Sequence, residues 1–317
     1  MIYYLAPMEG LTGYAFRNTL NRRFPGIKKY YSPFISPDGS GKFKSGSMRD
    51  ILPENNAGIN LVPQVLCNAP EQFIGAAKLF GEMGYKEVNL NAGCPSGTVV
   101  PKHKGAGMLA DIQGLDHFME EIFSHTDIKI SVKTRLGVED SLHFPEILEV
   151  YNKYPIHELT VHARNRAGQY KSPVELSAFK YAVENSKNPL CYNGNIFSSE
   201  ELGNLLKVTP CEKIMVGRGM CANPALVRQL NGGSALEKGE LRDFLDELSA
   251  ALVSSGLSEH FTLARLKELW YYMQDMFPGG EKNIKQLKRA KYLSDYNSAL
   301  DALFSENHFS PHCKFRG

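Results

Sequence analysis

The residue with the most chemistry to offer is the cysteine in Val88-Asn89-Leu90-Asn91-Ala92-Gly93-Cys94-Pro95-Ser96. The apolar run before it reads as a strand, Gly93 frees the backbone, and Pro95 stops a regular helix or strand from continuing. Cys94 is thus presented on a loop at a strand end, as a thiol that can hold or give a proton; a small buried hydrophobe is the other use of a lone cysteine. Lys133 is the second such residue. It lies inside Ile130-Ser131-Val132-Lys133-Thr134, which otherwise reads as a buried strand, and a buried ammonium needs a compensating partner. Either a carboxylate supplies one or the cation is held against a group that becomes anionic.

Elements that must position these two residues are legible in the pattern. Short apolar runs recur at 2–6, 29–35, 59–66, 87–91, 128–134, 158–162, 190–192 and 214–216. Helix-like stretches separate most of them, such as 70–83 with Phe73, Ala76, Ala77 and Phe80 on one stripe, and 198–206 opening with Ser-Ser-Glu-Glu. This alternation predicts an α/β fold, a (β/α)₈ TIM barrel. A doubly wound sheet is the competitor, but it places a glycine fingerprint after its first strand, and here Ala6-Pro7-Met8-Glu9-Gly10 follows. Polar residues then gather at the predicted strand ends: Gln64, Asn91 with Cys94, Lys133 with Arg135, His162 with Arg164, Asn193-Gly194-Asn195, and Gly217-Arg218-Gly219. In a barrel all of these face the mouth where active sites are built. Glycines after the last two strands let backbone N–H groups approach a phosphate and Arg218 adds a fork of charge, so a phosphate-bearing cofactor is expected.

Two loops are basic. One follows the thiol with Lys102-His103-Lys104; the other holds Arg164, Arg166, Tyr170 and Lys171. Both are read as solvated charge or as contacts to a phosphate backbone. After Asn231-Gly232-Gly233-Ser234 the chain becomes helical, with helices expected at 241–253, 261–277 and 295–304. A further segment sets Lys282, Lys285, Lys288 and Arg289 on one side and Ile284, Leu287 and Ala290 on the other. The predicted division is a barrel domain at 1–233 and a small helical bundle at 234–317. The 317 residues carry 43% hydrophobic and 22% charged residues and a formal charge of +2. That composition excludes a disordered chain and leaves nucleic-acid binding to local patches. No apolar run reaches the ~20 residues of a membrane helix and the opening segment lacks a basic n-region, so a cytoplasmic protein away from membranes is expected, acting as a monomer. Six cysteines, Cys67, Cys94, Cys191, Cys211, Cys221 and Cys313, are scattered without metal-ligand spacing.

Taken in order, Ala6-Pro7-Met8-Glu9-Gly10-Leu11-Thr12, Gln64, Asn89 to Ser96, Val132-Lys133-Thr134-Arg135-Leu136-Gly137, Val161-His162-Ala163-Arg164, Asn193-Gly194-Asn195-Ile196 and Gly217-Arg218-Gly219 form a motif set. It resembles that of the tRNA-dihydrouridine synthases from residue 5 to about residue 220. Two positions depart from that pattern, Asn165 after His162-Ala163-Arg164 and Asn195 after Asn193-Gly194, and both keep a hydrogen-bonding side chain. The resemblance implies an FMN-binding barrel that reduces the C5–C6 double bond of uridines in tRNA, with NADPH re-reducing the flavin. It makes Cys94 the proton donor to C5 and gives Asn91 and Arg135 to the substrate. Pro7, Met8 and Glu9 line the flavin ring, Gln64 and Lys133 meet its polar edge, and His162, Asn193, Gly194, Asn195, Gly217 and Arg218 hold the rest. Lys102, Lys104, Arg164, Arg166 and the tail cations Lys282, Lys285, Lys288 and Arg289 are the expected RNA contacts. An FMN enzyme of the dihydroorotate dehydrogenase type, acting on a free pyrimidine or small enone, is the rival reading; it has no use for a basic helical tail.

Overall fold

A computed structural model describes residues 1–38 and 41–312. Nine strands lie among these described residues: β1 (Ile2–Leu5), β2 (Ile27–Tyr31), β3 (Leu61–Val62), β4 (Gln64–Val65), β5 (Glu87–Ala92), β6 (Lys129–Arg135), β7 (Glu158–His162), β8 (Leu190–Asn193) and β9 (Lys213–Val216). They form one sheet in the order β3-β2-β1-β9-β8-β7-β6-β5-β4. Pairings from β4 through β9 are parallel, as is β2 with β3. β3 and β4 are two halves of the single run expected at 59–66, interrupted because Pro63 has no N–H to give a ladder. The Pro63 carbonyl still accepts from Asn89 N at 2.9 Å, and Ser32 Oγ accepts from Gln64 N at 3.0 Å. One end of the strand order therefore continues into the other and the sheet closes into the expected TIM-type α/β barrel.

The chain forms two compact units. The first, Met1–Pro7, Lys28–Gly194 and Gly203–Met215, holds almost all of the strands. Inside it Tyr4, Ala6, Tyr31, Val62, Cys191 and Met215 form a buried cluster. Helix Pro70–Glu82 starts on a proline, whose missing N–H is harmless in the first turn. It buries Phe73, Ala76, Ala77 and Phe80, the stripe read from the sequence. Each phenylalanine so enclosed contributes roughly 1.5–3 kcal/mol. The N-terminal ends of the strands carry an ionic group that the sequence does not announce. Lys29 Nζ lies 2.9 Å from Glu87 and 3.3 Å from Glu158, while Glu158 also takes Lys213 Nζ at 3.0 Å and the Tyr4 and Tyr31 hydroxyls at 2.9 and 3.0 Å. Burial would raise the Glu158 pKa, but Lys29, Lys213 and Tyr4 outweigh it and hold the carboxyl below its ordinary value.

The second unit comprises Met8–Ile27, Asn195–Leu202 and Val216–Gly317. Within it, Phe16 and Phe24, at helix Tyr14–Arg23, meet Phe244 of helix Lys238–Ser254 at 5.8 and 5.9 Å. Arg22 and Arg23 both grip Glu247, at 2.6 and 2.5 Å. Helices Glu259–Met273, Glu281–Arg289 and Leu293–Glu306 complete the tail, each close to the stretch its periodicity predicts. Trp270 anchors them, fully buried and donating to Tyr296 Oη at 2.8 Å. Cys313 lies outside the described residues.

Candidate active site

All six residues of β5 are buried, yet two of them are asparagines. Asn89 and Asn91 are two apart and share one face of the strand. Gln64 joins them: its Nε2 donates to Asn89 Oδ1 at 2.8 Å and its Oε1 accepts from Asn91 Nδ2 at 2.7 Å, while Asn89 Nδ2 donates to Ser131 Oγ at 2.9 Å. The chain leaves β5 under the control of this row. Asn91 Oδ1 accepts from the backbone N–H of Gly93 at 3.1 Å and of Cys94 at 2.9 Å, folding the loop back on the strand. From the other side Gly105, at φ +57, comes so close that a Cβ there would stand 2.8 Å from Cys94 Cβ. Ala106 N bonds to Cys94 O at 3.1 Å. Cys94 is half-buried, held between these two supports.

Lys133 is half-buried on β6. Its Nζ donates to Asn193 Oδ1 at 2.7 Å, and Asn193 Nδ2 donates in turn to Met215 O at 2.8 Å. Among the described residues no carboxylate pairs with Lys133. Burial, reinforced by the nearby Arg135 charge, lowers its pKa to about 7. The amine therefore sits in the barrel with a neutral amide as its hydrogen-bond partner. The donor set suits a flavin's polar, electron-rich edge, since the lysine is preplaced and its charge is not neutralised.

Several residues expected to touch ligand also hold the protein's own groups. Gln64 is fully enclosed with both ends of its amide occupied, so it steadies Asn91. Arg135 is 1% exposed, and its guanidinium donates to Gly93 O at 2.8 Å, Asn165 O at 2.9 Å and Gln169 O at 3.3 Å. It also lies 5.6 Å from the Tyr170 ring. Arg164, equally buried, donates to Ser172 O at 2.7 Å and stands 3.5 Å from His162 Nε2. Both arginines are buried and brace the loops that supply these carbonyls. Arg166 is nearer the surface, 3.8 Å from Glu139. Lys102 is exposed; Lys104 is half-buried with Nζ 3.4 Å from Ser36 Oγ. Gly194 admits no side chain for a local reason, because a Cβ would lie 2.1 Å from the Tyr192 hydroxyl.

Within the second unit, Met8 heads a tight turn in which Thr12 Oγ1 accepts from Met8 N at 2.8 Å; Met8 is half-buried and Glu9 exposed, and Pro7, in the first unit, is half-buried. Arg218 Nη2 donates to Asn195 Oδ1 at 2.5 Å, and the Gly217 carbonyl caps the turn that follows by accepting from Met220 and Cys221. On helix Glu281–Arg289, Lys282, Lys285, Lys288 and Arg289 are exposed while Ile284 and Leu287 are buried. Lys285, Lys288 and Arg289 edge a cleft of about 670 Å³ with Phe277 and Pro278 in its wall. Sequence reading assigned no role to Asn89, Ser131 and Gly105. The two-residue spacing of asparagines in an apolar strand was the available signal for the first.

Comparison with known proteins adds to this geometry. A family model described as Dihydrouridine synthase (Dus) matches residues 4–301. The chain is similar to tRNA-dihydrouridine synthase B of Pasteurella multocida, 28% identical over 239 residues, covering 75% of this chain and 70% of that protein. It is also similar to the tRNA-dihydrouridine(16) synthase of Neisseria meningitidis serogroup B, 24% identical over 93% of this chain and 92% of the relative. The tRNA-dihydrouridine synthase B of Shewanella oneidensis is 26% identical over 95% of each. Among solved structures, histamine dehydrogenase from Rhizobium sp. 4-9 superposes with a TM-score of 0.55 at 11% identity, over 81% of this chain and 49% of that one. A morphinone reductase in complex with tetrahydroNAD has a TM-score of 0.55 at 11% identity over 77% and 90%. At that identity the likeness is one of fold.

Proposed function

Since the chain belongs to the dihydrouridine synthase family, we propose that it reduces the C5–C6 double bond of uridines in tRNA, with FMN as its cofactor and NADPH as the electron donor. The observation that carries this reading is the half-buried Cys94 thiol on one strand end and, on the neighbouring strand, a lysine with no carboxylate partner among the described residues. FMN, when bound, supplies the hydride that goes to uracil C6. The remaining work belongs to the chain's own residues. Cys94 holds a proton for C5, delivering it from the face opposite the flavin, so its thiol has to stay neutral until that moment. Asn91 and Gly105 fix where the sulfur sits. Lys133 offers a positive charge to the cofactor's polar edge and is drawn fully into its protonated form by an anion there. Pro7, Met8 and Glu9 are assigned to the ring, and His162, Asn193, Gly194, Asn195, Gly217 and Arg218 to the rest of FMN. Exposed Lys102, Lys282, Lys285, Lys288 and Arg289 meet tRNA phosphates, offsetting the few kcal/mol needed to turn a uridine out of its stack.

Purified enzyme incubated with NADPH and tRNA lacking dihydrouridine tests this, read by mass spectrometry of the digested RNA and by identifying any released flavin. Cys94→Ala is expected to keep its flavin and lose the reaction by a factor of roughly 10²–10⁴. Full activity in that variant removes the proton-donor role. Reduction of free pyrimidines or small enones with tRNA untouched hands the site to the rival reading.

A further inference from the structure

A cleft of about 480 Å³ opens at the N-terminal ends of β2, β3, β5 and β6 and just before β7. These are the opposite strand ends from Cys94, Lys133 and Asn193. Three lysines and a histidine line it, Lys29, Lys86, Lys129 and His157, against one carboxylate, Glu87. That carboxylate is already taken. Lys29 Nζ approaches its two oxygens at 3.2 and 2.9 Å, and His157 Nε2 stands 3.7 Å away. Lys86 and Lys129 are exposed, and among the described residues neither has a carboxylate partner. Both lie at strand starts on neighbouring strands: Lys129 pairs with Glu87 across the β5–β6 ladder, and Lys86 is the residue before Glu87. His157 is fixed beside them by its backbone bond to Ile130 O at 2.8 Å. Pro53, Ala57 and Ile59 give the lining apolar surface, with Asn56 and Asn60 among them.

The walls are already formed. Gly84 turns the chain sharply into β5 at φ +97, and the Tyr85 hydroxyl is anchored on Ile51 O. Asn56 Nδ2 fastens the short helix Pro53–Asn56 through the Asp50 and Leu52 carbonyls at 3.0 and 2.9 Å. A preformed cavity lined by two exposed lysines, an imidazole and apolar surface offers both kinds of contact that a small amphipathic anion requires.

We infer that this cleft is a second ligand site, for a phosphate-bearing organic anion of about nucleotide size. Its phosphate lies between Lys86, Lys129 and His157, and its organic part covers Pro53, Ala57 and Ile59. The site does not depend on the proposed reaction, and its ligand reaches the barrel by the end away from the thiol.

Calorimetric titration of the purified full-length protein with AMP, inorganic phosphate and adenosine tests it. AMP is expected to bind saturably, inorganic phosphate more weakly, and adenosine weakest. The double variant Lys86→Gln/Lys129→Gln, two exposed positions, should weaken AMP roughly tenfold or more, the effect of losing one to two charge-assisted bonds. Arg218→Ala should leave AMP binding unchanged. Loss of AMP binding in Arg218→Ala with retention in the lysine variant overturns the inference, since AMP would then be occupying the cofactor's phosphate site. So does the absence of saturable binding, phosphate binding as tightly as AMP, or equal affinity for AMP and adenosine.

Discussion

Replacing Lys133 with methionine keeps its length and removes its charge. In the flavin-free protein the lysine titrates near 7, against 10.5 for the unperturbed group. At ~1.36 kcal/mol per pH unit, holding that ammonium in the fold costs about 5 kcal/mol at and below neutral pH. Partial access of water to the half-buried chain trims this to a few. The sign follows from proton binding. Between pH 7 and 10.5 the unfolded chain carries more protons at this site than the folded one, so wild-type stability rises with pH across that window. The penalty is complete below 7 and gone above 10.5. Lys133→Met has no such slope. It is set back by about 1–3 kcal/mol at every pH, because Asn193 Oδ1 loses its donor. Urea unfolding of flavin-free wild type and variant at pH 7 and pH 9 should therefore show the variant gaining at pH 7 and its advantage shrinking by about 1–2 kcal/mol at pH 9. A difference that stays constant between the two pH values refutes the claim that Lys133 is held as a strained cation. In the flavin-loaded enzyme the same substitution should weaken flavin retention, which dialysis followed by absorbance measures.

Gly105→Ala forces a side chain toward Cys94 Cβ at a positive φ and is expected to cost about 1–2 kcal/mol and lower turnover with flavin content intact; wild-type turnover would show that the thiol is not braced there. Lys29→Met leaves Glu87 and Glu158 buried without their shared cation and should destabilise the protein by about 3–5 kcal/mol, seen as a lower thermal midpoint; an unchanged midpoint would mean that Lys213 alone neutralises Glu158. For the tail, Lys285→Gln/Lys288→Gln/Arg289→Gln should weaken tRNA binding and flatten its dependence on salt, by about 0.7–0.9 in the logarithmic slope for each phosphate that is no longer neutralised. Parallel salt plots for wild type and variant would take the RNA away from that helix.

Much of the architecture was legible because it is written in local periodicity. Strand ends announced themselves by the switch from apolar runs to Gln64, Asn91, Lys133, His162 and Asn193, and the tail helices by their stripes. What was not legible depends on partners distant in the chain. Lys29, Glu87, Glu158 and Lys213 come from four strands, and nothing near any of them signals the other three. The same holds for Arg135 and Arg164. A guanidinium beside a motif reads as a ligand contact, and only the folded loops reveal the carbonyls of Gly93, Asn165, Gln169 and Ser172 that occupy them. The second compact unit takes in Met8–Ile27 because two phenylalanines there find Phe244.

The guanidinium of Arg135 reaches both the residue before the thiol and the 165–169 loop. Those two surface segments are consequently geared to each other. Moving either segment independently therefore breaks a hydrogen bond to the shared guanidinium, at about 70 residues' separation along the chain.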